Sequence, residues 1–310
     1  MSLIANIRNL VALLSCTSVL SQIIHGPNYN HPDGGPPAEF FTAAPTMPVA
    51  ALESAAAQLS SVSADGRFLM NSDSSTKSPI YEDWASLEEG AAVVWTADMD
   101  VDCDGINSQC RGNPDGLNLT SWGALSAYAV PYIVIPGDYL EAHEETFSGN
   151  NVAAVICNGK MFYGILGDSN GDEPQVTGEA SWLMARTCFP DDKLGGNVGH
   201  RQSDVTYILF LGDDAVLPHD AISQHYITDF GRLRSMGDRL VNALVSNTGI
   251  SSDNAPPTVP TSAATRNTPF WVQITLAWTW ATSGIAQTAY SLTWATSVLV
   301  QGTSAPASAL

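Results

Sequence analysis

Between residues 91 and 213 the chain alternates short β-branched and aromatic runs with clusters of Gly, Pro, Asn and Asp. The runs read "AAVVWTADMDVD", "AYAVPYIVIPG", "NVAAVICNG", "KMFYGILGD" and "DVTYILFLGD". Runs of this length with turn residues on both sides are strand signals. Several are apolar on consecutive positions, the pattern of strands buried on both faces. The expected fold is therefore α+β and β-rich: a single domain with an antiparallel sheet or barrel and a few helices. A double-psi type barrel is one form it could take.

Two helices are expected. Residues 48–62, "PVAALESAAAQLSSV", are Ala-rich. Residues 228–245 place Phe230, Leu233, Gly237, Leu240, Val241 and Leu244 on one stripe, with Thr228 or Asp229 as N-cap.

Organisation follows from composition shifts along the chain. Arg8 precedes an apolar run from Leu10 to Leu14 that continues through Cys16 to Leu20, too short to span a bilayer. With Val19-x-Ser21 as a cleavage site before Gln22, residues 1–21 read as a secretory signal peptide. Residues 22–247 are the expected catalytic domain. Residues 248–269 are a Ser/Thr/Pro-rich linker containing Pro256-Pro257 and Pro260. Residues 270–310 form an uncharged tail with Trp271, Trp278, Trp280 and Trp294, expected to be a poorly ordered extension.

With Cys16 inside the signal, Cys103, Cys110, Cys157 and Cys188 remain. In an oxidising compartment they would form two disulfides. Three pairings can be drawn, and Cys103–Cys110 with Cys157–Cys188 is the favoured one. No CxxC pair occurs, so a zinc site is not expected. Asn118-Leu-Thr120 is a glycosylation sequon, in keeping with a secreted surface loop.

The formal net charge is −19, on a chain only 14% charged. Such a field repels nucleic acid and anionic membranes and attracts a cationic ligand. Neither nucleic acid nor membrane is expected as a partner, and a monomer is expected.

One stretch, "YGILGDSNGDEPQVTGEASW" (163–182), admits three chemistries. Gly167-Asp-Ser-Asn-Gly171 fits the elbow of a serine hydrolase built on Ser169, but Pro174 and Gly178 interrupt the helix that must follow. Asp168, Asn170, Asp172 and Glu179 fall at positions 1, 3, 5 and 12 of a calcium loop, but Glu173 replaces the glycine required at position 6. Asp168 and Glu179 also form a carboxylate pair suited to glycoside hydrolysis, one protonated to serve the leaving oxygen and one ionised to activate water. A tight hairpin at Asn170-Gly171 would hold them roughly 20 Å apart. The pair therefore requires the chain to turn back, with Pro174 and Gly178 as the places where it could.

The segments "YNHPDGGPPAEFF", "ADMDVDCDG", "GNPDG", "PYIVIP", "NNVAAVICNGKMFYGILGDSNGDEPQVTGEASWLMARTCFP", "GGNVGH", "DVTYILFLG" and "LRSMGDRLVNAL" resemble the fungal chitosanases of glycoside hydrolase family 75. The resemblance spans about residues 28–246 and excludes the tail. It implies endo-hydrolysis of β-1,4 bonds in chitosan by inversion, and it implies Asp168 and Glu179 as the essential acids; no cofactor or metal is expected. Glu179 is assigned as general acid and Asp168 as base, an order that could be exchanged.

Chitosan is a polycation at mildly acidic pH, which suits the acidic chain. Asp98, Asp100, Asp102 and Asp104 alternate and would share one strand face. Asp98, Asp100, Asp102, Tyr163 and Asn170 are the expected substrate-binding residues. Two rival readings stand beside this one. The first is a non-catalytic, calcium-stabilised carbohydrate-binding protein. The second is a serine esterase using Ser169.

Overall fold

The computed structural model describes residues 22–196 and 198–251. The expected signal peptide, the tail and most of the linker lie outside them. In chain order the elements are α1 (Val49–Ala56), β1 (Val62–Leu69), β2 (Lys77–Tyr81), β3 (Ala92–Asp102), β4 (Tyr132–Pro136), α2 (Gly137–Ala142), β5 (Val152–Cys157), β6 (Lys160–Asn170), β7 (Glu179–Ser181), α3 (Trp182–Cys188), β8 (His200–Phe210) and α4 (Phe230–Thr248).

Six strands close into a barrel in the order β3-β7-β4-β6-β5-β8, with β8 returning to pair with β3. β2 and then β1 continue the sheet outward from β3. Four of the six barrel pairings are antiparallel, and two, β3–β7 and β4–β6, are parallel. Closure leaves the six barrel strands without a free edge, and β1 is the outer strand of the extension. β4 and β5 are buried at every position, as their uninterrupted apolar runs predict.

Local chemistry sets the connections. β5 and β6 form a hairpin through Asn158-Gly159, whose φ angles are 49° and 68°. Cys157 therefore pairs with Lys160 across a two-residue turn, the geometry that Asn-Gly favours. α4 buries the whole predicted stripe. Asp229 caps it by accepting a hydrogen bond from the Arg232 amide at 3.1 Å, and Gly249 closes it in the left-handed region. α4 begins at Phe230 and runs to Thr248, one residue past the predicted end of the domain. α1 stops at Ala56, well short of the predicted residue 62, because Val62 already belongs to β1.

Both favoured disulfides are present, Cys103–Cys110 and Cys157–Cys188. They span 7 and 31 residues, and loop-closure entropy of that size stabilises by about 2.5 and about 4 kcal/mol. The longer one ties the end of β5 to the end of α3, and α3 follows directly on β7. Among the described residues no helix is long and apolar enough to cross a membrane.

Candidate active site

β4 is the axis of the site. On one side Val134 pairs with Asp168 of β6, and on the other Ile133 pairs with Ala180 of β7, the residue after Glu179. Asp168 and Glu179 thus stand two strand spacings apart at the backbone, roughly 10 Å.

The chain does turn back between them. After Asn170 it leaves the sheet, touches β1 through a Leu69–Val176 bridge, and re-enters as β7 at Glu179. Gly178 makes the re-entry with φ 81°, and a Cβ there would stand 2.5 Å from Oδ1 of Asp98. Only glycine meets both conditions. On β6 the register against β4 slips at Gly167, since Ile133 faces Leu166 but Val134 faces Asp168. A bulge of this kind re-aims the following side chain.

The two acids have different surroundings. Asp168 is 5% exposed. Its Oδ1 accepts hydrogen bonds from the Ser121 amide, the Ser121 hydroxyl and the Ser169 amide, each at 2.8 Å. Burial lifts its pKa to about 6, and the donors from Ser121 and Ser169 oppose a larger rise. Glu179 is partly buried, and its Oε2 accepts one hydrogen bond, from Nδ2 of Asn170 at 2.8 Å. Burial lifts it to about 8; the Asn170 bond opposes this, and the carboxylates of Asp100, Asp172 and Asp168 add to the rise.

Two further acids crowd Asp168. One carboxylate oxygen from each of Asp102, Asp104 and Asp168 lies within 4.8 Å of the others. Burial, then Asp168, then Glu179, hold Asp102 well above the usual carboxylate range. Asp102 accepts the Asp104 amide at 2.7 Å, and Asp104 accepts the Leu117 amide at 2.8 Å.

Two open cavities meet over Glu179, sharing Ser72 and Asp100. The first, about 220 Å³, extends past Asp73 and Val101 to Arg201. The second, about 290 Å³, extends past Asn170 to Asp172 and Glu173. Asp168 lines neither cavity and sits among Ser121, Asp102 and Asp104.

Of the residues picked from sequence, Asp100, Asp102 and Asn170 fall together around the two acids. Asp98 does not reach the cleft. It is fully buried, accepts the Asn71 side-chain amide at 2.7 Å, and supports Gly178 from beneath. Tyr163 is also withdrawn from the substrate-binding set. It is fully buried on β6 against Gly237 of α4 and donates to Asp238 at 2.7 Å. Tyr163 was picked as an aromatic that could stack on a sugar, and Asp98 from strand alternation, which fails where the β3–β8 register shifts between Ala97 and Met99: Asp98 is in the core, Asp100 in the cleft, and Asp102 and Asp104 beside Asp168.

The serine elbow has no counterpart in the fold. Ser169 lies within β6, and its hydroxyl pairs with that of Ser121 at 2.7 Å. His200 is held between Asp192 and Asp204 and stacked on Phe189, and His225 bonds the Ala124 carbonyl. The calcium loop fares no better, because Asp168 and Asn170 are on one strand and Glu179 begins another, with β4 between. Ser121 escaped sequence reasoning altogether, since a lone serine in a loop carries no pattern.

A family model described as "Fungal chitosanase of glycosyl hydrolase group 75" matches residues 99–243, which include every residue bonded to Asp168 or Glu179. Endo-chitosanase B of Aspergillus oryzae is 40% identical over 166 residues, and the chain covers 67% of its length. The chain belongs to the group 75 fungal chitosanases. Endo-chitosanase C of Aspergillus oryzae is 60% identical over 237 residues, 76% of this chain. The chain spans 62% of the length of that relative. An endo-chitosanase of Aspergillus fumigatus is 36% identical over 169 residues, 47% of this chain and 68% of its own. The group 75 match begins at Met99 in β3 and ends within α4, so it takes in all of β4, β6 and β7.

Proposed function

We propose that the chain is a secreted endo-chitosanase that hydrolyses β-1,4 glucosamine linkages in chitosan with inversion at the anomeric carbon. The observation that carries this reading is the pair Asp168 and Glu179, held on the two strands that flank β4 in environments that separate their pKa values. Pairs of titratable groups pushed apart by their surroundings are how one site runs acid and base chemistry together.

Between about pH 6, where Asp168 ionises, and about pH 8, Glu179 remains protonated and serves as the general acid. Its proton passes to the glycosidic oxygen as the bond from that oxygen to the anomeric carbon breaks. Asp168 is the ionised base. It takes a proton from water while the water oxygen bonds to the anomeric carbon from the opposite face. A backbone separation of roughly 10 Å leaves room for that water.

Asp100, Asp102 and Asn170 are the proposed substrate contacts. Aspartates this crowded favour a neighbouring cation, and a glucosamine ammonium is one. The net charge of −19 draws such a polycation toward the cleft. Two disulfides and an exposed Asn118 within its sequon support secretion and glycosylation at that residue. Nucleic acid and membranes are not among the proposed partners, and the working unit is a monomer. The test is proton NMR of the earliest products from a soluble glucosamine oligomer. The α-anomer should appear first, and the β-anomer appearing first would rule out inversion.

A further inference from the structure

The cleft is electrically lopsided about Glu179. Both halves share Asp100 and Glu179. The remaining charges of the first half are Asp73 and Arg201, which cancel. Those of the second half are Asp172 and Glu173, which add.

Arg201 owes its place to an irregularity in β8. Ala97 pairs with Val205, yet Met99 pairs with His200, so the exposed residues from Arg201 to Asp204 stand out from the β3–β8 ladder. The segment leading into them lies directly over Asp100, since a Cβ on Gly199 would stand 2.4 Å from its Oδ1. Among the described residues, Arg201 is the only lysine or arginine that lines either cavity. Its charge acts on Asp100, drawing that carboxyl back toward ionisation against the effect of burial.

A guanidinium in this position discriminates between the two kinds of sugar in a partly acetylated chain. It repels a glucosamine ammonium. It offers N–H donors and no acceptor, and so bonds the carbonyl of an acetamide. Val101, in the same half, presents apolar surface to the acetamide methyl.

We propose that Arg201 makes its half of the cleft a subsite for an N-acetylated unit, while the Asp172–Glu173 half takes free-amine units. Because Glu179 lies between the halves, the preference falls on one side only of the bond that is cut. This inference rests on the chitosanase reading of the site.

The experiment compares wild type, Arg201→Gln and Arg201→Lys on a fully deacetylated glucosamine oligomer and on partly acetylated chitosan, with kcat/KM measured and product ends sequenced by mass spectrometry. Wild type should place N-acetyl units preferentially at one kind of new end, reducing or non-reducing. Arg201→Gln should lose that bias and gain about twofold to fivefold on the deacetylated oligomer, the size of one exposed charge contact. Arg201→Lys should weaken the bias without the gain, because the charge remains. An end distribution identical in wild type and Arg201→Gln overturns the proposal. Wild type releasing no new ends from either substrate overturns the chitosanase reading instead.

Discussion

Asn170 Nδ2 lies 2.8 Å from Glu179 Oε2, and Asn170 is two residues beyond Asp168 on the same strand. One strand thus carries the proposed base and the donor that restrains the proposed acid. The bond favours the ionised form of Glu179 and works against burial. Asn170→Ala should therefore raise the pKa of Glu179, and the alkaline limb of kcat/KM should move above its wild-type position near pH 8. Activity at the optimum should fall about tenfold, the scale of one hydrogen bond to a charged group. An alkaline limb that moves down would contradict this assignment of the acid.

Ser121 gives Asp168 two of its three hydrogen bonds. Removing the hydroxyl in Ser121→Ala takes a donor from the carboxylate, so the base becomes harder to ionise. The acidic limb, expected near pH 6, should move up. The loss of kcat should be about tenfold, and KM should change little. Ser121→Thr, which keeps the hydroxyl, should restore the limb. A purely structural role would lower activity without moving it.

Stability should also depend on pH, with a defined sign. Asp98, Asp168 and Glu179 are lifted from their ordinary values to about 7, 6 and 8. Below about pH 3 these carboxyls are protonated whether the chain is folded or not. As pH rises from there to about 8, the unfolded chain releases protons that the folded chain retains, so unfolding becomes easier. The melting temperature should be highest near pH 4–5 and should fall by at least about 5 °C by pH 8. Asp98→Asn should flatten part of that decline. A melting temperature that rises over this range would contradict the burial assigned to these groups.

The barrel strands were legible because β3, β4, β5, β6 and β8 carry long apolar or β-branched runs, and the Asn158-Gly159 turn announces its hairpin. β1, β2 and β7 were not, since they are short or polar and are strands only through their partners. β7 is three residues long and exists because β3 and β4 flank it. The two acids were legible through their resemblance to a known pattern. The order of the strands between them was not: β4 lies about thirty residues earlier in the chain than β6, and a pairing over that distance leaves no local trace. Asp98 shows the converse error. Alternation predicts a shared face, but the register shift between Ala97 and Met99 breaks the alternation at Asp98 and leaves no trace in the sequence.

The most direct test of the account is reducing-end release from soluble chitosan by wild type, Asp168→Asn and Glu179→Gln, with circular dichroism to confirm that each is folded. Wild type should be active, and each variant should lose at least about 100-fold in kcat, as loss of a general acid or base does. Either variant turning over at a rate close to wild type would contradict the assignment of these two residues as the catalytic pair.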